Sequence, residues 1–156
     1  MKMFAWALTF IFMTSFHAQA GADESLYALD GAKKMISSLP DMRVYKVKGD
    51  NDPVLKSTAS INRSLNEAVT EYLKEPEDQR LLEEIVLTAS EYNKKDGYQP
   101  GSVALVPIYK KAYNQKKPNK DLQTSFEKAV GKLSPTDAKQ LMKSTQNQYR
   151  YSEEGG

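Results

Sequence analysis

The chain has 156 residues, with 22 basic and 20 acidic side chains, a formal net charge of +2, one histidine, one tryptophan and no cysteine. Without cysteine there is no disulfide framework and no thiolate nucleophile, so any fold must be held by burial alone. The near-balanced charge and the lack of a recognisable nucleic-acid motif argue against DNA or RNA as a partner.

The N-terminal segment MKMFAWALTFIFMTSF places Lys2 ahead of an apolar run from Met3 to Phe16, interrupted only by Thr9, Thr14 and Ser15. That run is shorter than the about 20 apolar residues a transmembrane helix requires. Ala18-Gln19-Ala20 follows as a small-x-small cleavage site, so residues 1–20 read as a secretory signal peptide cut after Ala20. Cleavage would discard His17, Trp6 and four of the five phenylalanines, and Gly21–Gly156 would then contain no His, Cys or Trp. The expected product is a periplasmic or secreted protein with no membrane span. Its lack of disulfides favours a bacterial envelope over the disulfide-dense secreted domains of higher cells.

Beyond the cleavage site the periodicity is helical. Leu26, Leu29, Ala32, Ile36 and Leu39 recur at three- and four-residue spacing, with Asp23 placed to cap the start and Pro40 beyond the end. Met42–Lys48 alternates without a partner strand and reads as extended linker, with a strand as the alternative. Asp52-Pro53 is a cap followed by a first-turn proline, opening a helix whose apolar stripe carries Leu55, Thr58, Ile61 or Asn62, Leu65, Ala68 or Val69, and Tyr72 or Leu73, and which ends near Lys74. Leu81, Leu82, Ile85, Val86, Ala89 and Tyr92 mark the next helix, stopped by Lys94–Gly97.

Pro107 lies inside an otherwise apolar run. The expected solution is an extended Ser102–Val106 with Pro107 opening a helix to Asn114, the alternative being one helix capped by Ser102 and kinked at Pro107. Asp121–Leu133 has helical spacing, and Ser134-Pro135-Thr136-Asp137 is a helix start whose inward face would carry Ala138, Leu141, Met142, Thr145 and Tyr149. The terminal SEEGG is expected to fray. The fold class is therefore all-α: one compact bundle of five or six short helices over 21–156, following the cleaved signal peptide.

Loss of histidine and cysteine removes imidazole and thiolate catalysis and the usual zinc ligands, so no catalytic residue, metal ligand or cofactor is assigned. Glycoside hydrolysis needs only two carboxyl groups, and Glu67, Glu71, Glu83 and Glu84 are its candidates. Their positions read better as a solvated helix face. Asp50-Asn51-Asp52 opens like a calcium loop but fails where Val54, Leu55 and Ile61 stand, and Ser125–Lys128 matches S-x-x-K without its companion motifs.

Charge is distributed unevenly. Asp23–Glu91 holds 14 acidic and 9 basic residues, whereas Tyr92–Gly156 holds 6 acidic and 12 basic. The basic residues are densest between Lys94 and Lys120, where tyrosines interleave with them. Tyr92, Lys94, Lys95, Tyr98, Tyr109, Lys110, Lys111, Tyr113, Lys116 and Lys117 form the candidate binding surface, because ammonium groups attract anions and tyrosine rings give contact area at low entropic cost. The expected function is non-enzymatic binding of a protein or an anionic envelope component, with an inhibitor or immunity protein as one concrete form. A carboxylate-dependent hydrolase of envelope glycan is the alternative.

Overall fold

The computed structural model describes residues 21–155, so the segment 1–20, read above as a signal peptide, lies outside the described residues. All regular structure within them is helical. α1 spans 21–38, α2 Pro53–Lys74, α3 Gln79–Lys95, α4 Pro100–Ala112, α5 Lys120–Val130 and α6 Pro135–Glu154. Their buried apolar side chains form one contiguous cluster in which Tyr72, Tyr92 and Phe126 are the largest fully buried members.

Caps set most of the boundaries as the sequence dictates. Asp52 accepts from the Val54 N–H at 2.9 Å, Asp78 from the Leu81 N–H at 3.0 Å, and Ser134 from the Asp137 N–H at 3.2 Å, each satisfying a donor that the first helical turn cannot. Asp52 also accepts from Lys48 N–H and the Tyr45 hydroxyl, both at 2.8 Å. These bonds hold its carboxyl below the usual carboxylate range, the Lys48 and Val54 N–H groups contributing most. The linker from Met42 to Lys48 thus forms a turn and an extended strap fastened to the start of α2, and it makes no strand.

α4 is the centre of the bundle and packs against α2, α3, α5 and α6. Small residues let it approach closely: a Cβ on Gly101 would overlap the backbone carbonyl of Ala89 in α3. α1 is fastened to α3 by Lys33 Nζ and Glu84 Oε2, 2.6 Å apart, and by Lys95 Nζ, which donates to the Leu39 carbonyl at 3.0 Å.

Three expectations are corrected. Asp23 does not cap α1, because the helix already includes residue 21 and Asp23 lies exposed within it. The C-terminal tail does not fray at Ser152, since α6 continues to Glu154 and the Gly155 N–H bonds to the Tyr151 carbonyl. Ser102–Val106 is not extended: α4 runs unbroken through Pro107. Pro107 removes the bond to the carbonyl of Val103, but both residues face solvent, Val103 being 51% exposed. Water can hydrate the freed carbonyl there, which lowers the usual cost of an interior proline.

The N-terminus of α4 is capped from another helix. Gln99, at its N-cap position, lies in the left-handed region (φ 56°, ψ 51°) and offers no side-chain cap. Asn93 of α3 substitutes: its Oδ1 accepts from Gly101 N–H at 2.8 Å and Ser102 N–H at 3.2 Å, while its Nδ2 donates to Ser102 Oγ at 2.8 Å. Ser102 is therefore a fully buried residue inside α4 and not its cap.

Candidate functional site

The ten residues of the sequence-derived surface do not lie together. Tyr92, Lys94, Lys95 and Tyr98 belong to the α3–α4 corner, and Tyr109, Lys110, Lys111, Tyr113, Lys116 and Lys117 to the opposite end of α4, about 20 Å away along a helix of that length.

At the corner, two of the four are structural. Tyr92 is 1% exposed, and burial pushes its hydroxyl up to about 12. Lys95 fastens the end of α1. Lys94 pairs with Asp137 Oδ2 at 2.8 Å and Glu91 Oε1 at 3.1 Å, which raises its pKa and lowers that of Asp137 through the hydrogen bond between them. Tyr98 alone stands clear, 89% exposed.

At the other end, the residues meet the C-terminal half of α6. Tyr109, Lys110, Tyr113, Asn114, Lys116, Tyr149, Arg150 and Glu153 are among those lining a groove of about 590 Å³, within the size range of ligand pockets. Tyr109 and Tyr113, one helical turn apart, stack with centroids 4.5 Å apart. Tyr109 also packs on Tyr149 at 5.4 Å and edge-on to Phe126 at 6.3 Å. Tyr113 donates to Glu127 Oε1 at 2.7 Å; burial, with that bond second, raises its pKa. The loop beyond is shaped by Asn114, whose Oδ1 accepts from the N–H groups of Lys116 and Lys117 at 2.9 and 3.2 Å.

The groove's charges are readily available. Lys110 Nζ lies 3.1 Å from Glu153 Oε1, with both side chains about half exposed, a type of pair worth only ~0–1 kcal/mol. Lys116 and Arg150, which also line the groove, form no ion pair with a described residue, and neither do Lys111 and Lys117, which lie outside its lining. A partner carboxylate can therefore engage these cations without first breaking a strong internal contact.

A second groove, of about 560 Å³, lies on another side of α6 and is lined by Arg43, Asn93, Lys94, Gln99, Gln140, Lys143, Ser144, Asn147, Gln148 and Tyr151. The sequence reading of the surface missed most of these. Its signal in the sequence was the adjacent amides Asn147-Gln148 with Gln140 two turns earlier on the same face of the helix.

The hydrolase candidates have other surroundings. Glu84 pairs with Lys33, Glu71 with Lys74 at 3.0 Å, and Glu67 is exposed. None of Glu67, Glu71, Glu83 and Glu84 lines either groove. Among the described residues no cluster of His, Asp or Glu is arranged to hold a metal ion, and no helix is long and apolar enough to cross a membrane. Compared with protein-family models, curated proteins and solved structures, the chain matches none.

Proposed function

We propose that this chain is an exported, non-catalytic helical protein that binds an acidic surface of a protein partner through the groove between the C-terminal ends of α4 and α6. The observation that carries the reading is the convergence of Tyr109, Tyr113 and Tyr149 with Lys110, Lys116 and Arg150 on that one groove. The half-buried rings of Tyr113 and Tyr149, packed over the buried Tyr109, supply contact area at small entropic cost, and cations at the rim steer an acidic partner and favour it over neutral ones. Export rests on the signal-like segment ahead of Gly21. An inhibitor or immunity protein, which needs a stable surface and no reacting group, is the form of the function that suits this groove.

The test is capture from envelope and secreted fractions with the wild-type protein beside a Tyr149→Ala/Arg150→Ser variant. A protein held by the first and released by the second, with weaker capture at high salt, is the expected result. Equal capture by both would refute the assignment of the groove. Capture of nothing, together with release of sugar from envelope glycan, would favour a hydrolase.

A further inference from the structure

We infer that the second groove, along α6 between Gln140 and Tyr151, is a binding site for a hydroxyl-rich glycan. It is separate from the acidic-protein site and does not depend on it.

The chemistry of the lining points to this ligand class. Five of its side chains are amides: Asn93, Gln99, Gln140, Asn147 and Gln148. An amide presents donors and an acceptor on one planar group, which suits the mixed donors and acceptors of successive sugar hydroxyls. Asn93 and Gln99 are engaged in holding the start of α4, whereas Gln140, Asn147 and Gln148 make no side-chain hydrogen bond with another described residue. These three lie on one helix, positioned by its packing. Tyr151, 65% exposed at the end of the groove, offers a ring face on which the apolar face of a pyranose can stack, leaving its hydroxyl in water.

Other ligand classes fit less well. The lining contains no aliphatic residue, so there is no apolar pocket to anchor the side chains of a peptide. It also carries less unpaired positive charge than the first groove. Arg43 is held by both oxygens of Asp41 at 2.8 Å, and Lys94 by Asp137 and Glu91, which leaves Lys143 as the one lining cation without an ion pair to a described residue.

The groove also has a deeper part. A recess of about 60 Å³, formed by Ser90, Asn93, Lys94, Gln99, Asp137, Gln140 and Leu141, shares Asn93, Lys94, Gln99 and Gln140 with it. That is room for a small substituent of roughly two water volumes, such as a hydroxymethyl group, beside the Lys94–Asp137 ion pair that forms part of its wall.

The experiment is a titration of isotope-labelled protein, followed by NMR, with a tetrasaccharide of N-acetylglucosamine, a tetrasaccharide of glucose and a glycine-serine peptide of similar length. Saturable shifts are expected from either sugar at the side-chain amides of Gln140, Asn147 and Gln148 and at the Tyr151 ring. Asn147→Ala and Tyr151→Ala should each weaken binding about fivefold or more, the loss of one hydrogen bond or stacked face, while Lys116→Ser in the other groove leaves it unchanged. Helicity measured on each variant separates lost binding from lost structure, and Gln148→Ala serves if either variant unfolds. Absence of shifts up to millimolar sugar, shifts confined to other residues, or equal binding of the peptide would each overturn the assignment.

Discussion

At the N-terminal end of α4, Asn93 is committed to three hydrogen bonds, Gly101 lies against the backbone of Ala89, and Tyr92 is buried beneath them. At the C-terminal end, charged side chains are left available: Lys111, Lys116 and Arg150 have no ion pair with a described residue, and Lys110 has only an exposed one. The difference lies in what each end must satisfy. The N-terminus brings unpaired N–H groups into contact with α3, where leaving them unbonded is costly, so nearby polar side chains are drawn into the fold. The C-terminus meets an open loop and the polar side of α6; there the Asn119 N–H and Gln123 Nε2 donate to the Ala112 carbonyl, and the neighbouring lysines are not drawn into the fold.

If this contrast is right, disturbance should cost most at the buried end. The largest effect is expected from alkali. Tyr92 at that end and Tyr72 beside the α2–α3 turn are pushed up to about 12, mainly by burial, against about 10 in an unfolded chain. Their neutral form is the one the fold favours, so their contribution is complete below pH about 10 and is lost as pH rises through about 12. Helicity should fall in that window, with tyrosinate absorbance from these two rings appearing only as it falls; ionisation of both in a fully helical protein would contradict their burial.

Gly101→Ala comes next. The added methyl meets backbone and not a movable side chain, and a loss of about 3 kcal/mol in denaturant unfolding is expected, at the upper end for overpacking. An unchanged midpoint would mean that α3 and α4 are not so close. Asn93→Ala leaves two buried N–H groups unbonded and should cost about 2 kcal/mol, with Asn93→Asp recovering part of it by restoring the acceptor.

The middle of α4 should respond in the opposite direction. Pro107→Ala restores an N–H opposite Val103 on the exposed face, and a gain of about 1 kcal/mol is expected, smaller than the full proline penalty because water already serves that carbonyl. At the C-terminal end, Lys110→Ser should move stability by less than about 0.5 kcal/mol while weakening capture of an acidic partner. A large loss of stability there would place Lys110 with the structural residues and dissolve the contrast.

The candidate surface was only half legible in the sequence for the same reason. A run of lysines and tyrosines shows composition but not direction, and Tyr92 carries the same side chain as Tyr98 although one is buried and the other almost wholly exposed. Tyr149 and Arg150, more than 30 residues beyond Tyr113, join the groove only because α6 folds back along α4. The amide groove was less visible still, since glutamines and asparagines on a polar helix face are ordinarily just solvated.

What the sequence determined by itself is local. Apolar spacing and the caps Asp52, Asp78 and Ser134 act within a few residues, through hydrogen bonds that each helix end must find nearby, and they are enough to specify helices and their starts. The tertiary structure decided what depends on distant neighbours. α4 continues through Pro107 because its proline faces water and its start is capped by Asn93 from another helix. Whether a given tyrosine or lysine supports the core or faces a partner was likewise decided by the helix packed across from it, because burial is a property of the assembled surface and not of the residue.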